Sequence, residues 1–275
     1  MQTNKYTRKT LITEIVMLVL SLIIIIPLLV VIFGSFKTAG EAARFNFAPP
    51  TEWLFENYSQ VIEKANLVLA MKNSTIITVS VVAVTSIICA LGAFIIGRRK
   101  DRLSNFLNTF FSLGLIVPMC IVPTLLLLNF LHINNTKTGM ILVLIAMNIA
   151  WGMLLFTNFI DTIPRELDDA AFIDGCGPIQ LFWKVILPCL KPVMMTNIVI
   201  VGMGTWNDLQ TPLYLLNSSK NITMPLTVYN FKGQYYSDWN LIFADMVLVA
   251  IPMIIVYSFC QKYIVTGIMA GAVKG

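Results

Sequence analysis

Two carboxylates in apolar surroundings are the residues of this sequence best placed to do chemistry: Asp208, in the run 193–216, and Asp245, in the run 240–265. An aspartate deep in a bilayer costs about 2.5–3.5 kcal/mol on insertion scales, so it is retained where it faces a cavity or a partner. Paired acids could serve acid catalysis, but no supporting motif accompanies them. His132 is the only histidine, which excludes HExxH, and there is no GxSxG. A GxxxxGK[ST] loop is also missing, so the chain has no visible means of holding ATP. Cys89, Cys120, Cys176, Cys189 and Cys260 lack CxxC spacing and read as small buried hydrophobes. The acids fit a non-catalytic role better. Asp208 lies about 15 residues into its run, roughly 22 Å along a helix. With Thr205, Asn207, Gln210 and Thr211 it forms a polar patch just after Trp206 and before Pro212. Such a patch can line a solute pathway or its gate at a helix break, or it can hydrogen-bond between helices. Asp245 lies nearer the end of its run, where it can reach water, and Asn148 admits either reading.

The elements that must carry these residues follow from composition. Of 275 residues, 57% are hydrophobic and only 12% charged, with a mean hydropathy of +0.79. A soluble domain carries about 25% charged residues, so lipid is the solvent for most of this chain. The net charge of +5 does not point to nucleic acid, because the basic residues flank apolar runs without aromatic interleaving. Six stretches are long enough to cross a bilayer: about 11–33, 73–97, 104–131, 139–160, 193–216 and 240–265. Backbone inside lipid must satisfy its own hydrogen bonds, so they are expected as helices. The fold class is therefore an all-α polytopic membrane protein of six transmembrane helices, one domain over 1–275. The first run exceeds a signal-peptide core and is expected to be retained. Pro118, Pro123 and Pro252 are expected to kink their spans. No internal repeat or low-complexity tract is evident.

Lysine and arginine set the orientation. Lys5, Arg8 and Lys9, the short cluster Arg98, Arg99, Lys100 and Arg102, then Arg165, Lys184, Lys191, Lys262 and Lys274 fall on one side. By the positive-inside rule that side, with both termini, is cytoplasmic. The outer segment 34–72 is expected to hold a short helix around Glu56–Lys64, and 217–239 ends in interfacial aromatics, Tyr235, Tyr236 and Trp239.

The inner segment 161–192 is the most informative. Pro164 suits a helix start, and Glu166, Asp168 and Asp169 crowd its first turns, where the dipole favours acids. Gly175 stands at a C-terminal cap position, and Gly177-Pro178 stops the helix. Leu167, Ala170, Ala171 and Asp174 share one face, mostly small and apolar. A second short helix, about 178–186, is expected to end against Leu187-Pro188. Small side chains permit close approach, so the unit suits docking into another protein's cleft; equally it could be an interfacial helix packed on its own bundle.

The stretch Glu166-Leu-Asp-Asp-Ala-Ala-Phe-Ile-Asp-Gly175, with Val185-Ile-Leu-Pro188, resembles the "EAA…G…I-LP" loop of ABC importer permeases. The triplet falls on Asp169, Ala170 and Ala171, the glycine on Gly175 and the final pair on Leu187-Pro188. Asp169 replaces the usual Glu and is one methylene shorter; Val185 replaces the usual Ile. Trp206-Asn-Asp208, the Pro252-containing last span ending in Gln261-Lys262, and the tail Gly267 to Gly275 are similar to the maltose-type (MalG-like) branch of carbohydrate importers.

The resemblance implies a non-catalytic permease subunit in the bacterial cell membrane, importing a sugar or oligosaccharide. Implied partners are a second, homologous permease, two ATPase subunits that use ATP and magnesium, and an extracellular solute-binding protein, with no cofactor on this chain. It further implies that Glu166, Asp169, Ala170, Ala171, Asp174, Gly175, Leu187 and Pro188 couple to the ATPase. Trp206, Asn207, Asp208 and Gln210 would belong to the pathway or gate. The loop after Asn217 and the C-terminal tail would lie toward the binding protein and the ATPase pair. Other solutes, such as glycerol phosphate or a polyamine, form the alternative within importers. A channel, a secondary transporter and a membrane-embedded enzyme are the readings from other classes.

Overall fold

The computed structural model describes residues 8–99, 101–233 and 236–272, with side chains over 11, 13–99, 101–233 and 236–261. The calls on Lys5, Lys100, Tyr235 and Lys274, and on the side chains of Arg8, Lys9, Lys262 and the tail, lie outside that set. Described residues are mostly helical, in the order α1 (Arg8–Gly34), α2 (Ala39–Ala42), α3 (Glu56–Lys64), α4 (Leu67–Arg98), α5 (Arg102–Gly114), α6 (Ile121–Phe130) and α7 (Lys137–Ile160). Then come α8 (Glu166–Ile173), α9 (Pro178–Leu181), a π-helical turn (Phe182–Ile186), α10 (Leu187–Cys189), α11 (Lys191–Trp206), α12 (Gln210–Leu215) and α13 (Trp239–Ala272), with 3₁₀ turns at Ser219–Asn221 and Met224–Asn230.

Among the described residues, four helical stretches are long and apolar enough to cross a membrane: Thr13–Gly34, Leu67–Arg98, Lys137–Ile160 and Trp239–Gln261. The other two runs are helical but broken. Over 104–131 the chain forms α5 and α6 rather than one kinked helix. Leu115–Cys120 are non-helical, because Pro118 has no N–H to donate and restricts the residue before it. Over 193–216, α11 closes at Trp206 and α12 opens at Gln210. The helical stretch Pro178–Cys189 meets α11 at 69°. The helix expected around Glu56–Lys64 occupies those residues, and α13 runs on through Pro252.

The chain divides into two compact units, residues 1–68 with 227–251, and residues 69–226 with 252–275. In the first unit, side chains of α1 from Ile15 to Ile26 are largely exposed leucine, isoleucine and valine, a surface that only lipid or protein would cover. Gly34 lies so close to the Phe243 ring that a Cβ there would strike it. The segment between α1 and α3 is held by buried amides. Asn57 Nδ2 donates to the carbonyls of Ser35 and Lys37, each at 2.9 Å, and its Oδ1 accepts from Asn240 Nδ2 at 2.9 Å. Lys37, only 3% exposed, donates to the Asn46 carbonyl and side chain. Asp245 does not reach water as expected. It is 1% exposed, and the hydroxyl of Thr227, in the turn ahead of α13, lies 2.9 and 3.0 Å from its two oxygens.

The second unit is built on close packing of α4 with α7. Cys89, Ala90, Ala93 and Ile96 on α4 meet Met153, Phe156 and Ile160 on α7, and Ile163, Ala171, Leu181, Phe182, Ile186, Leu190 and Val193 complete that core. Small residues set the approach: a Cβ on Gly152 would lie 2.5 Å from Cys89 Sγ, and one on Gly97 2.6 Å from the Ile160 side chain. Close backbone approach is how helices gain van der Waals contact where lipid offers no hydrophobic drive.

Between α4 and α5, Asp101 caps α5, its Oδ1 accepting the Ser104 N–H at 2.8 Å while Oδ2 takes the Arg99 guanidinium. Hydrogen bonds to Ser104, first side chain and then backbone, and more weakly Arg99, hold the Asp101 carboxyl below its usual value. A carboxylate lowered on folding stabilises above its unfolded value and loses that contribution as pH falls through the folded one. Hydrogen exchange at the Ser104 amide should therefore quicken, relative to intrinsic rates, only when acidified below the ordinary aspartate range. The Asp101→Ala protein should show the faster exchange already at neutral pH.

Candidate functional site

The inner segment folds as a helix, a tight turn and a second helix. α8 starts at Glu166, with Arg165 at the cap, so Pro164 precedes the helix rather than lying inside it. Glu166, Asp168 and Asp169 occupy its first turn as expected. Its end is a Schellman turn: the Cys176 N–H donates to the Ala171 carbonyl at 2.9 Å and the Gly175 N–H to Phe172 at 3.0 Å. Gly175 adopts φ +77° with open space around it, so backbone conformation rather than crowding calls for glycine there.

The face expected from Leu167, Ala170, Ala171 and Asp174 divides differently. Ala171 is 5% exposed, packed into the unit's own core, and Asp168 beside it is half-buried. Leu167, Ala170 and Asp174, with Glu166, Asp169 and Gly175, are exposed. Three residues apart, Asp168 and Ala171 form the inward stripe because the body of the unit offers the Arg98 guanidinium to one and apolar side chains to the other. The exposed surface carries apolar groups that spacing did not single out: Phe172 at 52%, Ile173 at 87%, Ile179 at 76% and Trp183 at 53% exposure. The second helix does not stop at Leu187-Pro188. The Leu187 N–H reaches back to the Phe182 carbonyl, a π-type bond, and the helix passes through Pro188 as far as Cys189. The wider turn absorbs the donor that proline lacks. Leu187 is partly buried and Pro188 exposed.

Sequence reading also missed what anchors this segment. Arg98, at the end of α4, forms an ion pair with Asp168: Nη2 donates to Oδ1 at 3.1 Å and Nε lies 2.8 Å from Oδ2 without hydrogen-bond alignment, both side chains 13% exposed. Its Nη1 donates to the Ile163 carbonyl at 3.1 Å. Arg165 in turn donates to the carbonyls of Gly97 and Arg98 at 3.3 and 3.4 Å. The basic cluster signalled orientation; nothing local in sequence pairs residues so far apart.

Polar residues gather again where α11 ends. Asn207 closes α11 and is exposed, whereas Trp206 is 4% exposed within the unit. Asp208 Oδ1 accepts the Thr211 N–H at 3.0 Å, capping the first turn of α12. A cavity of about 520 Å³ opens beside the break, lined by Asp208, Gln210, Thr205, Thr211 and Gly204 with Asn148, Met119, Met147, Ile121 and Leu144. Asp208 and Gln210 thus share a cavity with Asn148, and Trp206 and Asn207 are not on its wall.

Residues 89–269 match the family described as binding-protein-dependent transport system inner membrane component. The chain belongs to that family. It is 32% identical over 258 residues to the "Probable starch degradation products transport system permease protein AmyC" of Thermoanaerobacterium thermosulfurigenes, covering 94% of each chain. It is 33% identical over 259 residues to the "Multiple sugar-binding transport system permease protein MsmG" of Streptococcus mutans, covering 92% of this chain and 93% of that one. Its fold is that of a chain from a bacterial ABC transporter involved in the import of the acidic polysaccharide alginate, with TM-score 0.81 at 24% identity over 95% of this chain and 99% of the other. As a member of this family the chain is a membrane-embedded, non-catalytic transport component. Both α8 and the cavity fall within the matched residues.

Proposed function

We propose that this chain is one permease subunit of an ATP-driven importer for a sugar or oligosaccharide. The observation that carries the reading is the exposed unit α8 to α10, set on a glycine turn and presenting Phe172, Ile173, Ile179 and Trp183 beside the acids Glu166, Asp169 and Asp174. The chain reads as crossing six times, α5 with α6 and α11 with α12 each completing one passage. Both termini and the unit α8 to α10 lie in the cytoplasm, as the arginine cluster directs. There the unit docks on a separate ATPase that binds ATP and magnesium. A second permease shares the pathway, two ATPase subunits serve the pair, and an extracellular binding protein delivers solute. The cavity at the α11–α12 break belongs to that pathway. None of the described residues lining it is basic, whereas Asp208 is acidic, which favours a neutral cargo over an anionic one.

Proteoliposomes holding the assembled transporter should take up a labelled neutral oligosaccharide with ATP inside and binding protein outside. Uptake of glycerol phosphate or a polyamine, and of no sugar, would overturn the cargo. A photo-crosslinker placed at Ile179 should capture the ATPase, and capture of no ATPase would overturn the docking. At the cavity, Asp208→Asn should keep uptake near that of the parent because asparagine caps equally well. Asp208→Ala removes a cap worth about 1 kcal/mol and should lower uptake by about fivefold.

A further inference from the structure

α4 is one unbroken helix of 32 residues, about 48 Å long. Each of its ends is bonded to a segment distant in sequence. At Arg98 the ion pair with Asp168, with the bond to the Ile163 carbonyl, holds α8. The pair is largely removed from water, so it is screened less than a surface bridge, and the guanidinium is held in direction by donating to both Asp168 and the Ile163 carbonyl. About 38 Å along the helix, Asn73 holds the turn at the opposite end. Its Nδ2 donates to the Lys220 carbonyl at 3.0 Å and the Ile222 carbonyl at 2.9 Å, while its Oδ1 accepts from Lys137 Nζ at 2.8 Å. Next to it Ser74 Oγ accepts the Met224 N–H at 2.8 Å. The same turn is fastened to the start of α7 by Asn135, whose Oδ1 accepts the N–H groups of Asn217 and Ser218 at 2.9 and 3.1 Å. Asn73 is 0% exposed, so these bonds are not traded with water.

We propose that α4 is the rod that carries movement of α8 to the turn 217–224 on the opposite face, with Arg98 gripping the one and Asn73 the other. The proposal rests on the docking reading above. A long helix is stiff along its axis, and the Cys89–Gly152 crossing makes α7 travel with it. A shift imposed on α8 by a nucleotide-driven partner therefore reaches residues 217–224 without passing through the cavity.

The test uses the full assembled transporter, with a fluorophore attached through an unnatural residue at the exposed Ser219 and a photo-crosslinker at Ile179. In the parent, adding ATP should shift the fluorescence. Arg98→Ala and Asn73→Ala should each cut that shift by about fivefold or more, with Ile179 crosslinking to the ATPase unchanged. Arg98→Asp combined with Asp168→Arg should restore it to within about twofold. If Arg98→Ala does not accumulate in the membrane, Arg98→Lys replaces it: charge is kept, the guanidinium's paired bonds to Asp168 and the Ile163 carbonyl are lost, and the shift should still fall. A full shift in either single variant, or none in the parent, overturns the rod. Failure of Ile179 to crosslink in the parent would instead strike the docking reading on which it rests.

Discussion

Replacing Gly175 with valine is expected to leave the protein in the membrane at parental levels and to lower ATP-dependent uptake by about tenfold. The estimate comes from the turn: a side chain in the left-handed region costs about 1–2 kcal/mol, more when β-branched, and that is a factor of about 5–30 in the population of the native turn. The cost is local, since a Cβ at Gly175 meets nothing within 4 Å and disturbs no packing. What changes is the direction in which the chain leaves α8, and with it the placement of Ile179 and Trp183 relative to Phe172 and Ile173. Gly175→Ala should lie between parent and valine, and Gly175→Asn close to the parent, because asparagine tolerates this conformation. Uptake in proteoliposomes, normalised to protein by immunoblot, separates the cases. Normal uptake by the valine variant would show that the turn does not position the docking surface.

How much of this was legible beforehand depends on whether the controlling interaction is local. The caps of α8 were legible: acids in its first turn and a glycine at its end act within one or two turns of chain. Long apolar runs were legible as helices because a lipid solvent leaves the backbone little choice. Hydropathy sees composition, however, and the run 104–131 carries no charged residue from end to end while its helix is interrupted before Pro118 and resumes only at Ile121. Which residues of α8 turn inward was not legible, for another reason. Leu167, Ala170, Ala171 and Asp174 share a stripe by spacing, but it takes Arg98 and the core of Ile160, Leu181 and Phe182 to draw Ala171, with Asp168, inward and leave the other three exposed. Asp245 failed likewise, since its cover is a turn that lies before it in sequence. The Asp208 break was foreshadowed by its polar neighbours, whereas the contribution of Asn148 to the cavity needs α7 and α11 placed side by side.

The α4–α7 crossing gives a second large effect, and one that can be reversed. Gly152→Ala puts a methyl 2.5 Å from Cys89 Sγ, inside contact distance, with Cys89 Cβ at 3.4 Å and Thr85 Cγ2 at 3.5 Å behind it. Overfilling a packed site typically costs about 1–3 kcal/mol, and here the strain should appear as a lower unfolding midpoint in detergent and weaker accumulation in the membrane. Cys89→Ala alone removes the sulfur and its weak bond to the Ile149 carbonyl at 3.7 Å, which should cost about 1 kcal/mol for the small void. Together the two changes should be less damaging than Gly152→Ala alone, because the new methyl enters the space that the sulfur vacates. A coupling of about 1 kcal/mol or more between the sites is what contact across the crossing requires. Strict additivity would mean that the helices separate at this point. The same double variant should then recover uptake along with stability, since a rod and its neighbour can move as one piece only while their smallest residues stay in contact.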